Sequence, residues 1–61
     1  MPVVTIQMLE GRDKQKKREL VEAITTAVVE VCEVKPEETT VIIEEYSRDN
    51  WARTGTLVSD R

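Results

Sequence analysis

The chain opens Met1-Pro2 and runs straight into an apolar, β-branched stretch. Removal of an initiator methionine before a small residue exposes a prolyl secondary amine. An ordinary α-amino group has a pKa of about 7.7–8.0, and both an apolar pocket and nearby cations favour its neutral form. A neutral amine near pH 7 abstracts a proton and returns it elsewhere, or attacks a carbonyl. With Met1 retained, the Pro2 nitrogen is a tertiary amide with no basic lone pair. Met-Pro by itself is a common opening and usually means nothing.

Arg12 is the second residue with chemical potential. It follows Gly11 at the end of the first apolar stretch, and ligands of open parallel sheets gather at the loops after strand ends. A guanidinium there holds a carboxylate or stabilises an enolate oxygen; an exposed turn arginine is the plainer reading. Trp51 is the third, a lone tryptophan in a polar segment. Its apolar area is rarely left in water, so it belongs to a subunit contact, a pocket wall, or both. Conventional constellations are absent: there is no histidine, P-loop or GxGxxG. Glu44 and Glu45 are adjacent in a strand-like segment, so their side chains take opposite faces and do not form an acid/base pair. The basic run Lys14-Gln15-Lys16-Lys17-Arg18 is balanced by Glu19 and Glu22 and reads as a solvated helix face. Cys32 reads as a small packing residue.

These residues need elements to hold them. Val3 to Leu9 alternates in a β-branched pattern with apolar groups on both faces and reads as a strand. Gly11 breaks it, and Asp13 suits the N-cap of a helix starting at Lys14. From Lys14 to about Cys32 the period becomes helical, with Leu20, Val21, Ile24, Ala27, Val28 and Val31 forming one apolar stripe. The helix ends ahead of Pro36, since the residue before a proline is pushed out of the helical region. Thr39 to Tyr46, centred on Val41-Ile42-Ile43, reads as a second strand. Ser47 to Thr54 reads as a polar loop interrupted by Trp51, and Gly55 to Val58 as a short strand or arm. The expected fold class is therefore α/β: a single β-α-β unit with parallel strands, joined by a right-handed crossover, plus a short C-terminal β element.

A domain of 61 residues buries only about 60% of its unfolded surface. One cysteine allows no internal disulfide, and the lack of histidine removes the ordinary zinc sites. Parallel sheets occur almost only with both faces covered, and one helix covers one face. Size and topology both call for an oligomer, with residues 1–61 as a single domain. A net charge of −3 argues against a general nucleic-acid binder. No apolar run reaches the ~18 residues of a membrane span, and no secretory leader opens the chain. A single unpaired cysteine fits a reducing, cytoplasmic setting.

Pro2, the strand Val3 to Leu9, the segment Met8-Leu9-Glu10-Gly11-Arg12, the helix beginning with Lys16 and Lys17, and Val41-Ile42-Ile43-Glu44-Glu45 together resemble the 4-oxalocrotonate tautomerase family. The resemblance runs over essentially the whole chain, and its most specific piece is Met1-Pro2 paired with Leu-Glu-Gly-Arg at that separation. It implies a β-α-β subunit assembled as a hexamer, a trimer of dimers. It also implies cofactor-independent keto–enol tautomerisation of small unsaturated 2-oxo or 2-hydroxy acids. By position, it makes Pro2 the proton shuttle and Arg12 the binder of substrate carboxylate. Trp51 takes the place of a family aromatic, usually phenylalanine, that keeps the pocket apolar and the proline pKa low.

One position departs from the pattern. Well-characterised members carry a second arginine at the start of the second strand, where this chain has Thr40. A hydroxyl supplies neither fixed charge nor a bidentate fork, which puts a dicarboxylate substrate in question. Arg53 or Arg48, in the Trp51 segment, is a candidate substitute from another direction. Two alternatives stand beside tautomerisation: a non-enzymatic or weakly active oligomeric scaffold or hetero-oligomer subunit of the same fold, and the dehalogenase or hydratase chemistry the family also hosts.

Overall fold

The computed structural model describes every residue from Met1 to Arg61. Strand β1 spans Val3–Leu9, helix α1 Lys14–Cys32 and strand β2 Thr40–Tyr46. Short 3-10 turns at Pro36–Glu38 and Arg48–Asn50 flank β2. A two-residue strand β3, Ala52–Arg53, then pairs with β4, Thr56–Leu57, before a last 3-10 turn at Val58–Asp60. β1 and β2 are parallel, in register from Val3 opposite Thr40 to Leu9 opposite Tyr46. The expected β-α-β unit with a short C-terminal β element is what the chain forms.

Local chemistry sets the boundaries. Gly11, at a φ of 127°, takes a backbone conformation that a side chain would strain, and turns the chain out of β1 towards Arg12. Asp13 caps α1 by accepting a hydrogen bond from the Lys16 amide at 2.8 Å. Glu33 ends the helix in the left-handed region, with φ 55°, a place more often given to glycine. Pro36 then starts the 3-10 turn. Thr39 belongs to the end of that turn, its amide donating to the Pro36 carbonyl at 3.1 Å, so β2 begins one residue later than its β-branched sequence implies.

The helix lies over one face of the sheet. Val4, Ile6 and Met8 of β1 and Val41 and Ile43 of β2 are half-buried beneath Leu20, Val21, Ile24 and Val28. Lys17 also turns to this side and forms an ion pair with Glu45. It is therefore not part of the solvated run read from sequence. Ala27, Val31 and Cys32, expected to pack, are exposed, Val31 by 81%. The packed face is turned towards Thr25 and Val29, which are half-buried. The 19-residue helix, about 28 Å long, also outruns strands of about 20 Å, so its last turn has no sheet beneath it.

On the opposite face Val3, Thr5, Gln7, Thr40 and Ile42 are exposed, and only Glu44 is half-buried. Val3 is 60% and Ile42 44% exposed. None of the 61 residues is fully buried. The chain measures 43 × 23 × 13 Å with a radius of gyration of 14.5 Å, whereas a compact domain of this length has a radius of about 10–11 Å. A thin slab with β-branched residues on its bare face is a subunit shape. No helix is long and apolar enough to cross a membrane.

Candidate active site

At the C-terminal end of the sheet, a cavity of about 360 Å³ is lined by Gln7, Met8, Leu9, Arg12, Trp51, Arg53, Val58 and Arg61. Each wall has a local cause. The last residues of β1 supply the floor, and the Gly11 turn delivers Arg12 to the rim. The Ser47 hydroxyl accepts a hydrogen bond from the Asp49 amide at 3.1 Å and starts the 3-10 turn that carries the chain to Trp51. The Trp51 ring, half-buried, packs on Tyr46 at a centroid distance of 6.2 Å and an interplanar angle of 59°, within the tilted geometry aromatic pairs favour. The Val58 amide donates to the Trp51 carbonyl at 2.8 Å, closing the base of the β3–β4 hairpin and holding Val58 in the wall.

A polar string braces this aromatic pair. The Tyr46 hydroxyl donates to Glu44 Oε1 at 3.1 Å, and the same oxygen accepts from Gln7 Nε2 at 3.1 Å. Tyr46 is held above the ordinary tyrosine pKa, chiefly by the hydrogen bond it donates to Glu44, then by that carboxylate's charge and by desolvation, with Gln7 working the other way. Glu44 and Glu45 do take opposite faces, one in this string and the other against Lys17.

The arrangement is electrostatically one-sided. The single ion pair of the chain is Lys17–Glu45, so Arg12, Arg53 and Arg61 reach the cavity with no carboxylate partner. Guanidinium groups beside an apolar indole make a receptor for a planar anion.

The residues singled out from sequence fall into two groups. Arg12, Trp51 and Arg53 share the cavity, while Arg48 stands outside its lining. Pro2 and Thr40 lie together at the other end of the sheet, where the Thr40 amide donates to the Pro2 carbonyl at 3.0 Å. The length of β1, about 20 Å for a strand of this size, separates the groups. Within one chain Pro2 and Arg12 cannot touch one substrate. Arg61, Gln7 and Val58 were not legible as site residues. Arg61 reaches the cavity only because the hairpin folds the end of the chain back, its Nη2 donating to the Arg53 carbonyl at 3.3 Å. The other depressions, along α1, contain none of the candidate residues.

The chain is a thin α/β unit with a bare sheet face and a cationic, aromatic pocket at one end of the sheet. Comparison with known proteins gives its family. The family model described as tautomerase enzyme matches residues 2–61. The 2-hydroxymuconate tautomerase of Bacillus subtilis is 47% identical over 60 residues, covering 98% of this chain and 97% of that protein. Among solved structures, a homologue of 4-oxalocrotonate tautomerase superposes with a TM-score of 0.94 at 45% identity, with 98% of both chains covered. A heterohexamer 4-oxalocrotonate tautomerase from Chloroflexus aurantiacus superposes with a TM-score of 0.93 at 32% identity, covering 98% of this chain and 97% of that one. The chain belongs to the tautomerase family.

Proposed function

We propose that residues 1–61 form a single tautomerase domain, the subunit of a cytoplasmic, cofactor-independent isomerase. It acts on small unsaturated 2-oxo or 2-hydroxy acids. Pro2, freed by loss of Met1, is the proton shuttle. Its neutral nitrogen takes a proton from the enol oxygen or an adjacent carbon of the substrate. The charge spreads into a dienolate whose carboxylate end Arg12 holds, and the prolyl ammonium then protonates a distal carbon. Trp51 supplies the apolar wall that favours the neutral amine, and Thr40, hydrogen-bonded beside Pro2, offers substrate a single hydroxyl.

The observation that carries this reading is the separation of Pro2 from Arg12 and Trp51 along β1, in a chain whose adjoining sheet face is bare. The two halves of the site meet when Pro2 of one copy reaches the Arg12–Trp51 cavity of another, in a homo-oligomer, most simply a homohexamer. The heterohexameric relative supports a mixed assembly as the variant to test against.

The experiment is tautomerase turnover on a panel of 2-hydroxy-dienoates and aryl-pyruvate enols, using protein whose intact mass verifies loss of Met1. Pro2→Ala should lose most of the activity, at least the ~10²-fold typical of removing a general acid/base, while remaining assembled. Equal, weak turnover by both proteins would instead support the scaffold reading, for which Thr40 in place of an arginine is the favouring observation.

A further inference from the structure

Thr40 removes one cation from the substrate's surroundings, yet the Arg12–Trp51 cavity holds two more than a monocarboxylate needs. Arg53 stands at the end of β3, and Arg61 is folded back beside it by the terminal 3-10 turn, its own amide donating to the Val58 carbonyl at 3.2 Å. The hydrogen bond from Arg61 Nη2 to the Arg53 carbonyl occupies one of the five donors of that guanidinium and leaves the rest free. Neither side chain has a carboxylate within ion-pair reach, although Asp49 and Asp60 stand close in sequence to the same elements. Both guanidinium-bearing residues line the same cavity, and cations without a paired carboxylate favour an entering anion.

Resting on the tautomerase reading, we infer that Arg53 and Arg61 form a second carboxylate subsite on the same subunit as Arg12, making the protein selective for dicarboxylates despite Thr40. In this arrangement Arg12 grips one end of an extended dienedioate. Trp51 and Val58 flank its apolar middle, and the hairpin arm supplies the charge for the far carboxylate. The role that an arginine at position 40 plays from the head of β2 passes to residues at the opposite end of the subunit.

The test uses binding, so that it is independent of turnover. Trp51 is the sole tryptophan and lines the cavity, so its fluorescence reports occupancy. Muconate and sorbate are matched probes, sharing a six-carbon diene and differing by one carboxylate. The intact assembly should bind muconate about tenfold more tightly than sorbate. Arg53→Ala and Arg61→Ala should each weaken muconate by about fivefold, the yield of an exposed ion pair, with sorbate changed less than twofold. The double variant should lose the preference, Arg12→Ala should weaken both ligands, and Arg48→Ala should weaken neither. The wild-type preference should also shrink as ionic strength rises. Sedimentation checks assembly, and Arg→Gln variants replace any alanine variant that fails to assemble. Equal affinity of the wild type for the two acids, or parallel losses for both in the Arg53 and Arg61 variants, would overturn the inference. If Pro2→Ala keeps full turnover while the muconate preference tracks Arg53 and Arg61, the catalytic reading fails and the subsite stands. The opposite pattern fails the subsite and keeps the catalyst.

Discussion

Ile42→Asp tests the link between assembly and folding at the centre of the bare sheet face. In the isolated chain Ile42 is 44% exposed. Full burial of such a side chain is worth about 1.5–3 kcal/mol, so covering the exposed part contributes about 1 kcal/mol per copy. The substitution forfeits that contribution and places a carboxylate among Val3, Thr5 and the facing surface of another copy. An unpaired charge in a dry contact costs several kcal/mol more, part of it recovered by protonation. A total of about 4 kcal/mol moves a dissociation constant by close to three decades. Sedimentation velocity and far-ultraviolet circular dichroism, run over the same dilution series, should show the variant dissociating at far higher concentration than the wild type. Helix signal and tautomerase activity should be lost in the same step, because none of the 61 residues is fully buried without neighbours. A variant that stays assembled across the range refutes the placement of the interface. A folded, active monomer refutes the reasoning at its root.

Local geometry gives two further expected outcomes. Tyr46 is the only tyrosine, so its near-ultraviolet phenolate signal titrates one site. Its midpoint should lie above the ordinary value of about 10, and Glu44→Gln should bring it down; a midpoint unmoved by that change removes the Glu44 hydrogen bond as the cause. A folded-state pKa raised above the unfolded one gives stabilisation that is whole below pH ~10 and lost as pH rises through the folded value. At the hairpin tip Thr54 has φ 51° and Gly55 φ 79°, a pair of positive angles suited to Asn-Gly and unsuited to a β-branched residue. Thr54→Asn should stabilise the assembly against urea by about 1 kcal/mol. An unchanged or lowered midpoint would show that Thr54 is compensated elsewhere.

The central unit was legible because every signal in it agreed. The β-branched alternation of Val3 to Leu9, the Gly11 break, the Asp13 cap and the helical stripe give the observed bounds of β1 and α1. The stripe misled at Ala27 and Val31 because periodicity gives neither the rotation of a helix on its sheet nor the point at which the helix outruns the strands. The C-terminal hairpin was harder to read. Strands of two residues show no alternation, and Thr54-Gly55 hides a turn that Asn-Gly would announce. Arg12 and Trp51 had local reasons to be noticed. Arg61 had none, since its place depends on the hairpin bringing the end of the chain back to the start of its own site.

That fold-back gives the hairpin a role beyond closing the subunit. The proline end of the sheet is fixed by strand pairing, through the Thr40 amide and the Pro2 carbonyl. The cationic end is carried on a short arm with a strained tip, held by the two-residue β3–β4 pairing and by the hydrogen bonds from Val58 to Trp51 and from Arg61 to Arg53. Backbone ladders hold position closely, while a two-residue hairpin of this kind is marginal on its own. On the proposed reading, the proton transfer at Pro2 sits on the rigid element. On the same proposal, the groups that select one acid over another sit on a loop-borne element, the kind that changes most freely in sequence and geometry. On this division, substitutions at Arg53 and Arg61 alter which acid is preferred and leave the proton transfer at Pro2 intact, whereas changes in the β1–β2 ladder disturb every substrate alike.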